Sequence, residues 1–335
     1  MISSTQNITT TSPRAGHAPA RARARAKYEH VIVITRQTEL EELTARFNTV
    51  AQARFYLERA GRDINPILQE HERYHLALDQ VRQAIPFGVK SQVIDRQFVP
   101  QFTFGEEDIV ITVGQDGLVV NTAKYLTQQP LIGVNPAPNK IEGVLLPFTT
   151  KTLTETLPDT LQGHARIQDV TMAKAQLSDG QELLAFNDLF IGPKTHTSAR
   201  YRIAQGEQSE EQSSSGIIIS TGAGSTGWMK SIYAGAAGII KALGGEVTFP
   251  KDGGRFAWDA DYLIYAVREP WPSKTSQSTM VFGVITTEQP LVLNSYMAEH
   301  GVIFSDGVES DYVKFNAGHT ASIQLASHKA KLIIR

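Results

Sequence analysis

The sequence predicts an α/β plus β fold: an N-terminal α/β sheet domain over residues 29–148 and a β-rich, sandwich-like domain over 149–300, with the strands of 301–335 expected to return toward the first. Three observations carry this reading. Strand-like and helix-like segments alternate between residues 31 and 134, as in βαβ units. After about Phe148 the texture changes to short alternating segments separated by turn signals, as in an antiparallel domain. The length, 335 residues, allows two packed cores.

Order is expected to begin near His30. Val31-Ile32-Val33-Ile34 is an unbroken β-branched run, which suits a strand buried on both faces. Thr38 followed by Glu41 fits a capping box, and Leu40, Leu43, Phe47, Val50 and Ala51 keep helical spacing through one predicted helix. A second helix is predicted over 67–84, then a short strand over Gln92-Val93-Ile94-Asp95. Asp108 to Val113 reads as the clearest strand; Leu118 to Leu126 is helix-like, and Leu131 to Val134 is a further apolar strand. In the second half, strands are predicted at Arg166–Val170, Tyr201–Ile203, Ile217–Ser220, Tyr262–Val267, Met280–Ile285 and Lys331–Ile334, with one helix around Trp228 to Leu243. Gly206 to Gly216, rich in Ser, Gln and Glu, reads as a solvated hairpin loop.

Composition removes several function classes. A net charge of −2 gives no electrostatic ground for a nucleic-acid partner. The absence of cysteine excludes disulfides, thiolate metal sites and thiol nucleophiles. No apolar run approaches the roughly 18 residues that a spanning helix needs, so no membrane partner is expected. Residues 1–28 carry Arg14, Arg21, Arg23, Arg25 and Lys27 with no acid before Glu29, which fits either a disordered basic tail or a mitochondrial targeting segment. The cytoplasm is the expected location, with the mitochondrial matrix as the alternative if that segment is cleaved.

Three stretches could carry chemistry. Gly114-Gln115-Asp116-Gly117 follows the clearest strand, where ligands gather in open α/β sheets. Glycines there admit close phosphate approach, and a carboxylate there can accept a proton from an attacking hydroxyl; a plain tight turn is the other reading. Ser220 to Trp228, an unbroken run of small and hydroxyl residues, leads from a strand into a helix. It suits an anion or nucleotide, with Trp228 able to stack on a ring, or a helix capped by Ser225 or Thr226. It is not a Walker A loop, since no Gly-Lys-Ser/Thr occurs. The pair Asn187-Asp188 could fork onto a ribose diol, or sit in a turn.

Taken in order, Gly-x-Asp-Gly, Gly133-Val134-Asn135, Asn187-Asp188 and Thr221-x-x-Gly224-Ser225-Thr226 resemble the NAD kinase family, with Asp306-Gly307 where that family often has Asp-Gly. The resemblance spans roughly residues 105–310. Glu142 to Pro147, with Phe190-Ile191-Gly192 and Ser198 to Tyr201, looks closer to the mitochondrial-type branch. It implies an NAD kinase-like fold, an ATP-dependent kinase acting on the adenosine 2′-hydroxyl of NAD, ATP with Mg²⁺ carried by the nucleotide, small nucleotides as partners, and homodimers or higher homo-oligomers.

By the same resemblance Asp116 is the general base, Gly114 and Gly117 shape the phosphate-facing turn, and Asn135 belongs to the nucleotide-binding set. Asn187 and Asp188 hold the nucleoside, Ser225, Thr226 and Gly227 line its pocket, and Trp228 stands in for a family tyrosine. Lys124, Lys194 and Arg200 are the candidates for a cationic clamp. The chain departs from the family pattern at Gln115 for Gly, Leu118 for Thr, Pro136 for Thr, and Gly222-Ala223 for Pro-Thr. A same-fold kinase with a lipid or other nucleoside acceptor, and a non-catalytic NAD or NADP sensor, are the alternatives. His71 and His75 lie four apart without a third ligand nearby in sequence, so no metal site is assigned.

Overall fold

In the computed structural model, which describes residues 26–248 and 252–335, strand β1 (His30–Thr35) buries Val31 to Ile34 completely or nearly so. The expected basic tail or targeting segment lies outside the described residues except for 26–28. Helix α1 (Glu39–Phe47) starts at the predicted capping box: the Thr38 hydroxyl accepts the Glu41 N–H, and the Glu41 carboxylate accepts the Thr38 N–H at 2.7 Å. The single helix expected through Ala51 is in fact two. Asn48 adopts a left-handed conformation (φ 65°) that ends α1, and Thr49 caps α2 (Val50–Arg59) by accepting the Gln52 N–H at 3.2 Å. Helical spacing persists across that break, which is why periodicity alone did not reveal it.

Helix α3 (Asn65–Ala84) follows, with proline in its first turn, then β2 (Lys90–Asp95), β3 (Asp108–Val113), α4 (Asp116–Ala123), β4 (Pro130–Val134) and α5 (Thr150–Leu161). The second half holds β5 (Arg166–Val170), β6 (Ala173–Leu177), β7 (Glu182–Ala185), β8 (Asp188–Pro193), β9 (Ala199–Gln205), β10 (Gln208–Ser214) and β11 (Ile217–Ser220). Helix α6 (Trp228–Ala242) interrupts it. Then come β12 (Leu263–Val267), β13 (Phe282–Ile285), β14 (Leu291–Ser295), β15 (Gly301–Ser305), β16 (Val308–Lys314), β17 (Thr320–Leu325) and β18 (Ala330–Ile334).

The first sheet runs β2-β1-β3-β4-β18-β5, parallel from β2 to β18, with β5 antiparallel at its edge. Helices α3 and α5 cover one face through Tyr74, Val81, Leu153 and Leu157; α4 covers the other through Leu118 to Ala123. Strand β18 enters this sheet beside β4, with Leu332 opposite Leu131. The remaining strands form two antiparallel sheets, β10-β9-β14-β17-β6-β7 and β13-β12-β11-β8-β15-β16. Their facing sides share one apolar core that includes Ala175, Ile203, Leu293, Ile191, Ile219 and Leu263. Helix α6 lies on the outer side of the third sheet, where Met229 meets Ile218 and Ala266. The two halves join in a core cluster that holds residues of α4 together with Met172 and Phe186.

The solvated loop expected at Gly206 to Gly216 is instead mostly strand β10, paired with β9 along its whole length. Its alternate polar residues Glu210, Gln212 and Ser214 point inward and are satisfied there. The Tyr201 hydroxyl donates to Gln212 at 2.8 Å, and the buried Glu210 carboxylate accepts the Thr279 and Met280 N–H groups at 3.0 and 2.9 Å. Composition suggested solvent; the strand's partners supply those hydrogen bonds instead.

Candidate active site

Strand β3 ends at Val113, and Gly114-Gln115 leads directly into α4, so Asp116 occupies the first position of that helix. Its carboxylate accepts two backbone donors, Val144 N–H at 3.1 Å and Leu145 N–H at 3.0 Å. This contact depends on Gly133-Val134-Asn135 and the loop after it. A Cβ on Gly133 would overlap the Leu145 carbonyl, so only glycine lets the returning chain lie this close to β4. The Asn135 side chain then spans the loop: its amide donates to the Ile141 carbonyl at 2.9 Å, and its carbonyl accepts the Ala137 N–H at 2.9 Å. Asn135 is therefore occupied in shaping the loop that orients Asp116. Gln115 has φ −113°, so it sits without the strain that a glycine-requiring conformation would impose.

Beside this turn lies a pocket of about 200 Å³ lined by Arg36, Arg73, Tyr74, Gln115, Pro136 and Lys140 among others. Arg36 follows β1 at the carboxyl edge of the sheet and pairs with Glu70 at 2.9 Å. Its backbone N–H donates to the Tyr74 hydroxyl at 2.9 Å. The Arg36 Nε and the Arg73 Nη1 are buried without any hydrogen-bond partner. A Cβ added to Gly114 would lie 3.6 Å from that Arg36 Nε, which places the unpaired donor against the Gly114 turn. Buried, unpaired guanidinium nitrogens are costly unless an anion completes them.

On the other half, Phe186-Asn187-Asp188 and Thr221 to Ser225 form one unit. The buried Thr221 hydroxyl donates to the Phe186 carbonyl at 2.6 Å, and the Thr221 N–H donates to the Asn187 carbonyl at 2.9 Å. A Cβ on Gly224 would overlap the Asn187 carbonyl, and one on Gly222 the Ala257 carbonyl. The Asp306 carboxylate accepts the Phe186, Asn187 and Asp188 N–H groups at 3.1, 2.7 and 3.3 Å, tying the Asp306-Gly307 turn to the same place. Burial, with the nearby Asp306 charge, pushes Asp188 up to about 7. Burial also raises Asp306 to about 6, against the opposing pull of Lys124 and the three backbone donors.

The remaining predicted residues differ in placement. Ser225 is buried and its hydroxyl donates to the Gly222 carbonyl at 2.7 Å, whereas Thr226 and Gly227 are exposed. Neither hydroxyl caps α6: Gly224–Thr226 form a short 3-10 turn and Gly227 takes the capping position. Trp228 stacks on Phe190 with ring centres 5.8 Å apart, beneath the Arg268 guanidinium. Gly117 has open space where a Cβ would stand. Phe186, partly buried Ala223, Leu145 and α4 pack in one cluster, which brings the neighbourhoods of the two motif groups together.

No family model matches the chain. Mitochondrial NAD kinase 2 of Rattus norvegicus is 25% identical over 281 residues, which is 68% of this chain and 65% of that protein, just under two thirds of its length. An NAD kinase of Chlorobium phaeobacteroides is 28% identical over 149 residues, 43% of this chain and 47% of that one. Among solved structures, an NAD kinase from Archaeoglobus fulgidus in complex with ATP superposes with a TM-score of 0.50 at 14% identity, covering 90% of this chain and 93% of that one. Yeast NADH kinase complexed with NADH does so with a TM-score of 0.54 at 11% identity, covering 94% and 88%. The chain has an NAD kinase-like fold.

Within this NAD kinase-like fold, none of the three sequence candidates for a cationic clamp faces the Gly114 turn. Lys124 is buried and bonded to Asp311 and to the Ser305 hydroxyl; Lys194 lies over the Tyr312 ring; Arg200 is exposed on β9. Arg36 and Arg73 take the position beside the turn instead. The available signal for Arg36 was its place directly after the first parallel strand, on the edge where ligands collect. Arg73 had none, because a helix 37 residues on reaches the same pocket only through the tertiary fold.

The NAD kinase-like motifs allow two predictions. Gly224→Ala should force the 186–188 and 221–224 loops apart and cost about 1–3 kcal/mol, as overpacked sites do, read as a lowered denaturation midpoint. Asp188 and Asp306 both hold protons more tightly than ordinary carboxyls, so between about pH 4 and 7 the folded state binds more protons than the unfolded chain. That stabilisation is complete below this window and lost as pH rises through it. In thermal melts, Asp188→Asn should gain on the wild type at about pH 8 and lose that advantage near pH 4. An equal difference at both values would contradict the assignment.

Proposed function

We propose that this chain is an ATP-dependent kinase that phosphorylates the 2′-hydroxyl of the adenosine ribose of NAD, giving NADP. The observation that carries the reading is the pair of buried nitrogens without partners, Arg36 Nε against Gly114 and Arg73 Nη1 in the same pocket, two positions before a carboxylate held by two backbone donors. The buried donors suit the donor's phosphates. Phosphoryl transfer asks a protein mainly for positioning and charge stabilisation, and both are available there.

In this proposal Arg36, Arg73 and Lys140 hold the donor's phosphate oxygens. A carboxylate has about four lone-pair sites, so Asp116, with two engaged, keeps capacity to accept the ribose hydroxyl's proton. As the new O–P bond forms, the bond to ADP breaks and ADP leaves with its electron pair. Asn187 and Asp188 would contact the nucleoside from the other half. Mg²⁺ bound by the triphosphate supplies charge neutralisation, and no described carboxylate cluster beside the pocket is assigned to it. A second copy of the chain is the proposed protein partner, because α6 exposes Ile239 and Ile240, with exposed Leu243 just past its end.

One observation favours the sensor alternative: Gln115, where the family pattern has glycine, lines the basic pocket itself. Direct assay of NADP formation separates the readings. Asp116→Asn should lower turnover about 10²–10⁴-fold, the range for a general base. Arg36→Met should lower kcat/KM for ATP roughly 10- to 100-fold, the loss expected for a charged hydrogen bond. Turnover indifferent to Asp116→Asn would remove the proposed base. NAD binding without turnover in the wild type would establish the sensor, and turnover with a lipid or another nucleoside alone would change the acceptor.

A further inference from the structure

The mechanism leaves one cluster unused. His71 and His75 lie one turn apart on the same face of α3, with ring centres 4.3 Å apart. They bracket the run His71-Glu72-Arg73-Tyr74-His75, a helical spacing that lets two imidazoles meet one ion. The sequence offers no third ligand nearby, but the fold supplies one from 30 residues earlier in the chain: Glu41, in the first turn of α1. One donor atom from each of Glu41, His71 and His75 lies within 4.8 Å of the other two.

We propose that Glu41, His71 and His75 form a binding site for a divalent transition metal ion, with zinc as the best match. Two imidazoles and a carboxylate are a recognised zinc set that leaves one position open, and the partial exposure of all three residues leaves room for water there. Metal–donor bonds of about 2.0–2.2 Å in a tetrahedron require donor separations of roughly 3.3–3.5 Å. The present spread needs only side-chain adjustment of about an ångström to reach this. Two of the ligands, Glu41 and His71, are also held from behind by Thr38. The Thr38 N–H and hydroxyl bond one Glu41 oxygen at 2.7 and 3.1 Å, leaving the other facing His75 Nε2 at 3.0 Å. His71 Nδ1 bonds the Thr38 hydroxyl at 2.8 Å, the kind of contact that fixes a ligand imidazole's tautomer and orientation. A metal at His75 Nε2 takes the place of that ring's hydrogen bond to Glu41, with the neutral imidazole carrying its proton on Nδ1.

The site also has a place in the architecture. It joins α1 to the segment of α3 that carries Glu70, Arg73 and Tyr74, all of which line the basic pocket. An ion there would clamp the pocket's outer wall. The inference does not rest on the kinase reading, because its readouts involve no nucleotide.

The test is titration of the full chain, freed of metal by chelation, with Co²⁺ and then Zn²⁺. A single equivalent of Co²⁺ should give the strong visible absorption of a four-coordinate ion, Zn²⁺ should displace it, and Zn²⁺ should raise the melting temperature. The variant His71→Asn/His75→Asn should keep its far-ultraviolet circular dichroism and lose all three responses. Glu41→Gln, which keeps an oxygen for the Thr38 cap, should weaken the metal by at least about tenfold and serves if the double variant does not fold. A wild type that shows no such absorption, or variants that bind as well as it does, would overturn the proposal.

Discussion

The Asp116 carboxylate, accepting two backbone N–H groups from Val144 and Leu145, is the interaction on which the rest of this site depends. It fixes a charge at the tip of β3 against a loop that reaches it only because Gly133 has no side chain. Asn135 braces that loop from within, and Gly143, with φ 62°, turns it where a Cβ would crowd the Asn135 amide. Gly133-Val134-Asn135 and the Gly143 turn thus act through the course of the backbone. They set where one carboxylate can point. The other half is organised by the same means: one carboxylate, Asp306, gathers three successive N–H groups, and two glycines let three backbone segments meet.

The charges around these two units are arranged differently. Near Gly114 two guanidinium nitrogens are buried without partners, while Lys124, the most buried of the sequence candidates, is neutralised by Asp311. Lys124 commits its donors to Asp311 and Ser305, whereas each of these guanidinium groups keeps a buried nitrogen free for an anionic ligand. Near Asp188 the imbalance has the opposite sign, with two carboxyls sharing one buried neighbourhood and both raised. Guanidinium nitrogens left without partners on one side, and carboxyls raised by burial on the other, suit a phosphate and hydroxyls respectively.

Much of the fold was legible in the sequence for local reasons. β1 and β3 are rich in β-branched residues, β4 is a short apolar run, and α1 begins with a capping box that the structure forms as written. What escaped was decided by partners distant in sequence. Strand β10 reads as a loop because its buried face is polar, and only Tyr201, Thr279 and Met280 explain why that face is satisfied. Asp116 and the Thr221 turn were identifiable as motifs, yet their hydrogen-bond partners were not, since no pattern in residues 140–147 announces two donors aimed at position 116. Arg36, Arg73 and Glu41 were missed for the same reason: each gains its setting when α1, β1 and α3 pack.

Hydrogen exchange at two amides tests the central contact most directly. Val144 is 62% exposed, so burial gives its N–H little shelter, and protection there must come from the Asp116 carboxylate. In the wild type, the Val144 and Leu145 amides should exchange slowly, and in Asp116→Ala both should speed up by about tenfold or more, as expected for losing a bond to a charged acceptor. Equal exchange rates at both amides in the two proteins would contradict the account.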